Sequence, residues 1–482
     1  MTGGAMHLTA RHYHFIGIGG IGMSGLAELL VRRGYTVSGS DLAANALTQK
    51  LQRLGVRFFP GHAPEHIHGS DLVVISSAIG MDNPELRAAQ AQGLPILSRA
   101  QMLAALMAGQ KQIAVAGTHG KTTTTSMVAA VLQQGGLSPS VMVGGVVDTL
   151  GSNAVWGSGQ VFVAEADESD GSFLAYQPHV AVVTNVDRDH LDHYRDLQHI
   201  QEVFSAFLHQ IQPDGFLVAC LDDPHLRAIL NGRPQQLLTY GLQTPAAYQA
   251  RQIRISQRGS VYTLVQHDRP LGQIQLPLAG HHYVCNSLAA AAVGFALGLS
   301  FSDIQAGLAQ TGRIKRRFEL KGEARGITVI DDYGHHPTEI RVTLAAMAQA
   351  FAGRRLLVAF QPHRYSRTQA LLKEFFDIFG DAHILYLTDI YGAGEAAIPG
   401  LSGYDLYQGV KASGHPAVEY VADRRELAAI LLTQVRPGDV VVTMGAGDIW
   451  RTGEELLQLL DTRAMEELPS LTSYAVPVAE IC

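Results

Sequence analysis

Gly117-Thr118-His119-Gly120-Lys121-Thr122-Thr123-Thr124 follows the apolar run Ile113-Ala114-Val115-Ala116 and opens a helical pattern, Met127-Val128-Ala129-Ala130-Val131-Leu132, that stops at Gly135-Gly136. Strand, glycine-bearing turn and helix N-terminus in that order gather backbone N–H groups, the positive end of a helix dipole and a lysine ammonium around one point, which is how a phosphate chain is held. The stretch reads as a nucleoside triphosphate site, with Lys121 on the phosphates and Thr122 placed to offer its hydroxyl to Mg²⁺. One position departs from the usual spacing. Val115 stands where a glycine is expected, so the loop is shorter than the common pattern.

Working outward, the 482 residues suggest roughly three domains at about 150 residues each. With 47% hydrophobic and 16% charged residues the chain can bury several cores. A formal net charge of −7, with no basic run beyond Lys315-Arg316-Arg317, argues against a nucleic-acid partner. Cys220, Cys285 and Cys482 are odd in number and far apart, offering neither a disulfide framework nor a zinc spacing, as suits a reducing cytoplasm. Met1 to Tyr13 lacks a charged segment followed by an apolar run, and no stretch of about 18 apolar residues occurs, so the expectation is a cytoplasmic protein with no membrane span. The tail beyond Leu468 lacks periodicity and is expected to be loose.

Upstream of the loop, His14-Phe15-Ile16 runs into Gly17-Ile18-Gly19-Gly20-Ile21-Gly22, a helix follows over Gly25 to Arg33, and a second strand, Tyr35 to Ser40, ends on Asp41. Gly-x-Gly-x-x-Gly with an acid about 20 residues on is the fingerprint of a ribose-binding dinucleotide fold, and read alone it suggests NAD. Strand patterns at Val56–Phe59 and Leu72–Ser77 continue the alternation, with His62 on a loop between them. Downstream, Val161-Phe162-Val163-Ala164 ends in Glu165-Ala166-Asp167-Glu168-Ser169-Asp170, where a metal-holding carboxylate belongs. The apolar Val180–Val186 precedes Asp187-Arg188-Asp189-His190-Leu191-Asp192-His193. No third ligand of zinc spacing accompanies these histidines, so Mg²⁺ held mainly by oxygens, with one His contributing, is the better reading.

Short alternating strands fill Ile253 to Leu278, then Gly280-His281-His282-Tyr283-Val284-Cys285-Asn286 opens an alanine-rich helix. The β/α alternation restarts at Ile327. Its strands end in Asp331-Asp332-Tyr333-Gly334-His335-His336-Pro337, in Gln361-Pro362-His363-Arg364-Tyr365-Ser366-Arg367, in Thr388-Asp389-Ile390-Tyr391 and in Met444-Gly445-Ala446-Gly447-Asp448. Polar clusters at the ends of successive apolar strands mark the carboxyl edge of an open α/β sheet, where ligands bind.

Taken together, the glycine fingerprint at 14–25, the Gly-Thr-His-Gly-Lys-Thr loop, Glu165–Asp170, Asp331–Glu339 and Gln361–Thr368 resemble the Mur ligases across nearly the whole chain. Within that family the Glu-Ala-Asp-Glu-Ser-Asp string is similar to members that add L-alanine rather than to those that attach a ready-made tripeptide. The resemblance implies an α/β chain of three domains: a Rossmann-like UDP-binding domain over 1–107, a central P-loop ATPase-like domain with a small extra β-sheet over 108–316, and a Rossmann-like amino-acid-binding domain over 317–482. It implies ATP and two Mg²⁺ as cofactors, UDP-N-acetylmuramate and L-alanine as substrates, and a monomer or weak homodimer. The family shortens its P-loop as this chain does. Gly17, Gly19, Gly22, Asp41 and His62 become UDP contacts. Gly117 to Thr123, Asn286, Arg317 and Asp332 face ATP, with Arg317 at a hinge, while Thr122 and Glu165 take one Mg²⁺. Glu165 is preferred to Glu168 because the family spacing to His190, 190 − 165 = 25, selects it, and His190 takes the second ion. Tyr333, His335, His363, Arg364 and Arg367 line the site for alanine and the muramoyl carboxylate, with His335 or His363 as the base for the amine. Tyr283 stands where the family usually has asparagine; three residues before Asn286 on a helix, it either shares that residue's face towards the nucleotide or packs under the helix and never meets ATP. Two rivals explain less: a nicotinamide-linked dehydrogenase leaves the P-loop idle, and an ATP-dependent switch gives no reason for the clusters after residue 330.

Overall fold

The structure is a computed structural model that describes residues 10–147, 151–230, 236–312 and 314–466; the tail beyond Leu468 and Cys482 lie outside the described residues. Three sheets succeed one another along the chain. The first is fully parallel and built from β1 (His12–Ile16), β2 (Thr36–Asp41), β3 (Arg57–Pro60), β4 (Leu72–Ile75) and β5 (Ile96–Ser98), in the order β3-β2-β1-β4-β5. Helices α1 (Ile21–Arg32), α2 (Ala46–Arg53), α3 (Pro84–Ala91) and α4 (Arg99–Met107) connect them. Ile16, Val73, Leu86 and Ala89 pack together under this sheet. Asn45 and Ser98 close capping boxes on α2 and α4, so the side chains at these positions set where each helix starts.

The second sheet begins with β6 (Lys111–Ala116), followed by α5 (Lys121–Gln134), β7 (Ser140–Val147), β8 (Ser152–Val155), β9 (Val161–Glu165), β10 (Val180–Val183), α6 (Leu197–His209), β11 (Phe216–Cys220), α7 (Pro224–Ala228) and β12 (Gln236–Gly241). Then come β13 (Tyr248–Ser256), β14 (Gly259–Gln266), β15 (Arg269–Leu276), α8 (His281–Ala296) and α9 (Phe301–Ala309). Strand order is β15-β14-β13-β12-β11-β10-β6-β9-β7-β8. The antiparallel meander β13–β15 joins the parallel strands through only two paired positions, Tyr240 with Tyr248 and Gly241 with Gln249. Strand β6 lies between β9 and β10, and the registers Val115 with Glu165 and Ala116 with Val183 bring the ends of all three strands level. All four residues of β10 are buried, as a strand covered on both faces requires.

The third sheet holds β16 (Glu319–Ala324), β17 (Ile327–Asp332), β18 (Leu356–Phe360), β19 (Ile384–Leu387), β20 (Val418–Tyr420) and β21 (Val440–Met444), ordered β16-β17-β21-β18-β19-β20. Only β16 runs antiparallel. Helices α10 (Pro337–Ala350), α11 (Tyr365–Ala370), α12 (Gly403–Ala412), α13 (Arg424–Gln434) and α14 (Trp450–Glu466) complete it. Val329, Leu357, Tyr386, Val441 and Leu456 share its core. Met444 pairs with both Asp332 and Phe360, so the segments after β17, β18 and β21 leave the sheet at one edge. Residues up to Lys315 form one compact unit and those from Arg316 a second. Among the described residues no helix is long and apolar enough to cross a membrane.

Candidate active site

The chain turns out of β6 at Gly117, whose φ of +133° and whose position, with an added Cβ only 2.0 Å from Thr184 Oγ1, leave room for no side chain. Gly120 precedes α5 at φ +81°, and a Cβ there would stand 3.0 Å from Asn286 Oδ1. The turn is clamped to the segment after β10. Thr184 Oγ1 and Asn185 Nδ2 donate to the His119 carbonyl at 2.6 and 3.0 Å, the His119 N–H donates to Asn185 Oδ1 at 2.8 Å, and the Asp187 N–H donates to Thr118 Oγ1 at 2.9 Å. Such a braced loop holds its N–H groups in place before any ligand arrives. Lys121 Nζ donates to the carbonyls of Gly117 and Thr118 and to Glu168 Oε1, at 2.7, 3.0 and 2.8 Å. Burial opposes its charge, but Glu168, Glu165 and Asp167 more than offset that and hold its pKa above the ordinary lysine value.

Two carboxylates divide the work beside it. Glu165, last in β9, accepts Thr122 Oγ1 at 2.9 Å and the Gly144 N–H at 2.7 Å, so the two residues expected to share a Mg²⁺ are already joined. Glu168 and Asp189 each bring a carboxylate oxygen to 3.7 Å from His190 Nε2. Glu168 thus stands beside His190, and Glu165 beside Thr122. The Glu168 carboxyl is pushed up to about 7 by burial, which the Lys121 ammonium only partly opposes. His190 itself sits at φ +52°, a backbone state that a non-glycine residue adopts where the surroundings enforce it. A hydroxyl and two carboxylates are hard oxygen donors, and with one imidazole beside them the set fits Mg²⁺ and not a thiophilic metal.

On the first sheet, Asp41 Oδ2 accepts the Gly19 N–H at 2.8 Å and Oδ1 the Leu42 N–H at 2.8 Å, so this acid fastens the glycine turn to the end of β2. Gly17 has φ +83°. A Cβ on Gly22 would meet Arg99 Cδ at 2.9 Å, and Arg99 Nη2 reaches Asp167 Oδ2 at 2.9 Å, linking the glycine turn to the acidic string after β9. His62 Nδ1 lies 3.0 Å from Ser40 Oγ. Behind them Glu85, fully buried, binds Ser40 Oγ at 2.5 Å and His66 Nδ1 at 2.6 Å. Burial would raise its pKa, but the hydrogen bonds from His14, Ser40 and His66 prevail and hold it at about 2.

In the unit from Arg316 onward, the segments leaving β17 and β18 meet. Asp332, pushed up to about 6 by burial against the opposing charge of Arg317, accepts the N–H groups of Phe318 and Gly334 at 2.8 Å each. Arg317 lies 3.5 Å from Glu339 Oε1 and 5.1 Å from the Tyr333 ring centre. Arg316 instead bridges to buried Asp331 at 3.0 Å and to the carbonyls of Gly445 and Gly447. His335 donates from Nδ1 to the Tyr333 carbonyl at 3.0 Å, and its ring centre is 5.8 Å from that of His363. Burial first, then the guanidiniums of Arg367 and Arg364, lower the His363 pKa to about 4, so that imidazole is neutral at neutral pH. Arg367 Nη1 is 3.5 Å from His363 Nδ1, and Arg364 Nη1 lies 3.8 Å from Glu395.

The family models described as Mur ligase family, catalytic domain, Mur ligase middle domain, and Mur ligase, glutamate ligase domain match residues 12–111, 115–294 and 316–447. A UDP-N-acetylmuramate–L-alanine ligase of Syntrophobacter fumaroxidans is 49% identical, covering 93% of this chain and 96% of its own. The chain belongs to the Mur ligase family. A second ligase of the same name, from Geotalea uraniireducens, is 50% identical over 93% of this chain and 97% of its own. The crystal structure of the Thermotoga maritima UDP-N-acetylmuramate–alanine ligase superposes with a TM-score of 0.79 at 28% identity, covering 94% of this chain and 99% of that one. The three-domain α/β arrangement expected of a Mur ligase is thus present.

Within this Mur ligase, Tyr283 and Asn286 are both buried, at 4% and 9% exposed. Asn286 abuts Gly120 of the phosphate loop, and the Tyr283 ring lies 4.0 Å from that of His282. Sequence reasoning missed Arg99, Asn185 and Glu85. Asn185 follows an apolar strand, a position where polarity is a signal. Glu85 carried none, because its partners Ser40 and His66 come from other elements.

Proposed function

We propose that this protein joins L-alanine to the lactyl carboxylate of UDP-N-acetylmuramate, turning ATP into ADP and phosphate, as a cytoplasmic step in peptidoglycan precursor synthesis. The reading is carried by the grouping of Lys121, Thr122, Glu165, Glu168 and His190 at the opening of α5, in a chain aligned almost end to end with relatives named for that reaction. We assign residues 1–107 to UDP, 108–316 to ATP and 317–482 to the amino acid. Gly17, Gly19, Gly22 and His62 approach the UDP moiety, and Asp41 serves it by shaping the glycine turn. Asn286, Arg317 and Asp332 serve the nucleotide. Thr122 with Glu165, and His190 with Glu168, would hold two Mg²⁺, which when bound supply positive charge where triphosphate and carboxylate are pressed together.

Forming an amide from a carboxylate in water is uphill, so the carboxylate must gain a leaving group. Its oxygen attacks the γ-phosphorus, ADP departs, the alanine amine adds to the acyl phosphate carbonyl, and the tetrahedral intermediate expels phosphate. Lys121 steadies the charge on the transferred group, a contribution typically worth a few kcal/mol at such a site. The attacking amine must be neutral. His335 donates Nδ1–H to a carbonyl, so the neutral ring carries its lone pair on Nε2. His363, beside two guanidiniums that disfavour a proton on it, orients and does not take up charge. His335 is therefore the base, and Tyr333, Arg364 and Arg367 position alanine and the muramoyl carboxylate. The test is ADP release: it should require UDP-N-acetylmuramate and L-alanine together, and release that continues with either omitted would contradict the reading.

A further inference from the structure

Cys220 and Cys285 are 65 residues apart in the chain, yet their sulfurs lie 3.7 Å from each other. Cys220 closes β11 and is 4% exposed; Cys285, in the opening turns of α8, is half-buried. Sequence spacing hid the pair, because only the packing of α8 on β11 brings the two together. Asp222 places an oxygen within 4.8 Å of both sulfurs. That carboxylate is already committed: Oδ2 accepts the Leu242 N–H at 2.6 Å, and Oδ1 accepts those of Gln243 and Thr244 at 3.0 and 2.8 Å. A metal would have to compete with these three N–H groups for the carboxylate charge. Two thiols this close, beside a carboxylate already holding a turn, are placed to bond to each other.

We propose that Cys220 and Cys285 are a reversible oxidation site, closed to a disulfide by a two-electron oxidant such as hydrogen peroxide, and that closure weakens nucleotide binding at the P-loop. The nucleotide part rests on the functional reading above. The Cys220 sulfur attacks one peroxide oxygen, the O–O bond breaks, and the sulfenic acid and a water result. The Cys285 sulfur then displaces the hydroxyl from that sulfenic acid, its proton leaving with it as a second water, and the S–S bond forms. The Cys285 hydrogen bond lowers the Cys220 pKa in spite of burial, which favours Cys220 as the attacking sulfur. A disulfide spans about 2.05 Å, so the sulfurs must approach by roughly 1.6 Å. Asn286, the next residue on α8, borders the phosphate loop closely enough that a Cβ added to Gly120 would stand 3.0 Å from its Oδ1, so a shift of this turn moves a side chain packed beside that loop.

The full chain carrying Cys482→Ser, which removes the third thiol, tests this. After peroxide treatment, unreduced peptides are mapped by mass spectrometry and ADP affinity is read by calorimetry. The expected result is a cross-linked peptide joining Cys220 to Cys285, ADP affinity weakened about three- to tenfold, restoration by dithiothreitol, and indifference to peroxide in Cys285→Ala, or in Cys220→Ser if the first variant folds poorly. Two thiols that remain alkylatable after peroxide, oxidation of each to a sulfonic acid without cross-linking, or Zn²⁺ protecting both from alkylation would overturn the site. A cross-link that leaves ADP affinity unchanged would overturn the coupling. Failure to ligate alanine in a protein that shows the cross-link and the affinity change would count against the substrate reading alone.

Discussion

Lys121→Met removes the ammonium that pairs with a buried carboxylate and that we assign to the triphosphate, and the two losses have different pH signatures. Glu168 is 1% exposed and titrates at about 7 against an ordinary 4.5. A raised acid is disfavoured when ionised, so Glu168 subtracts stability progressively as pH climbs from 4.5 to about 7, then no further. Without Lys121 the carboxyl stays protonated to higher pH, and the subtraction continues to grow. At pH 5.5 variant and wild type therefore carry the same Glu168 penalty. At pH 8 the variant is worse by the extra unit above 7, about 1.4 kcal/mol. Adding Glu168→Gln to Lys121→Met removes the penalty and should recover stability at pH 8, while activity stays lost. Urea unfolding at the two pH values and ADP release under ligation conditions provide the readouts. Turnover above about a tenth of wild type, a loss under ~1.4 kcal/mol, would remove the P-loop from the mechanism, and a destabilisation equal at both pH values would refute the pairing with Glu168.

Glu85→Gln should destabilise the protein by on the order of 2 kcal/mol at pH 7. Because the folded pKa is depressed to about 2, that contribution exists above 4.5 and fades as pH falls towards 2, so unfolding curves of the two proteins should converge in acid. Asn286→Ala should raise KM for ATP more than Tyr283→Asn, which should move it less than about tenfold; the reverse order would mean the buried tyrosine reaches the nucleotide. His335→Gln should lower kcat and displace the acid limb of its pH profile, whereas His363→Gln should raise KM for alanine without moving that limb. A limb that follows His363 instead would exchange the two roles.

The strands and the polar clusters at their ends were legible because buried parallel strands are continuous apolar runs and the residues that follow them leave at one edge. Lys121 and Thr122 stood out from local order alone, whereas the choice of Glu165 over Glu168 needed the family resemblance. What sequence could not supply was pairing across elements. The partnership of His190 with Glu168 depends on a left-handed residue after β10. The brace from Arg99 to Asp167 and the Glu85 cluster join side chains 68 and 45 residues apart.

Oxygen tracing reaches the central claim most directly. With UDP-N-acetylmuramate carrying a heavy-oxygen label in its lactyl carboxylate, L-alanine and ATP, direct attack on the γ-phosphorus predicts that every inorganic phosphate released carries one labelled oxygen and that ADP carries none. Unlabelled phosphate, or label appearing in a nucleotide product, would contradict the acyl phosphate route.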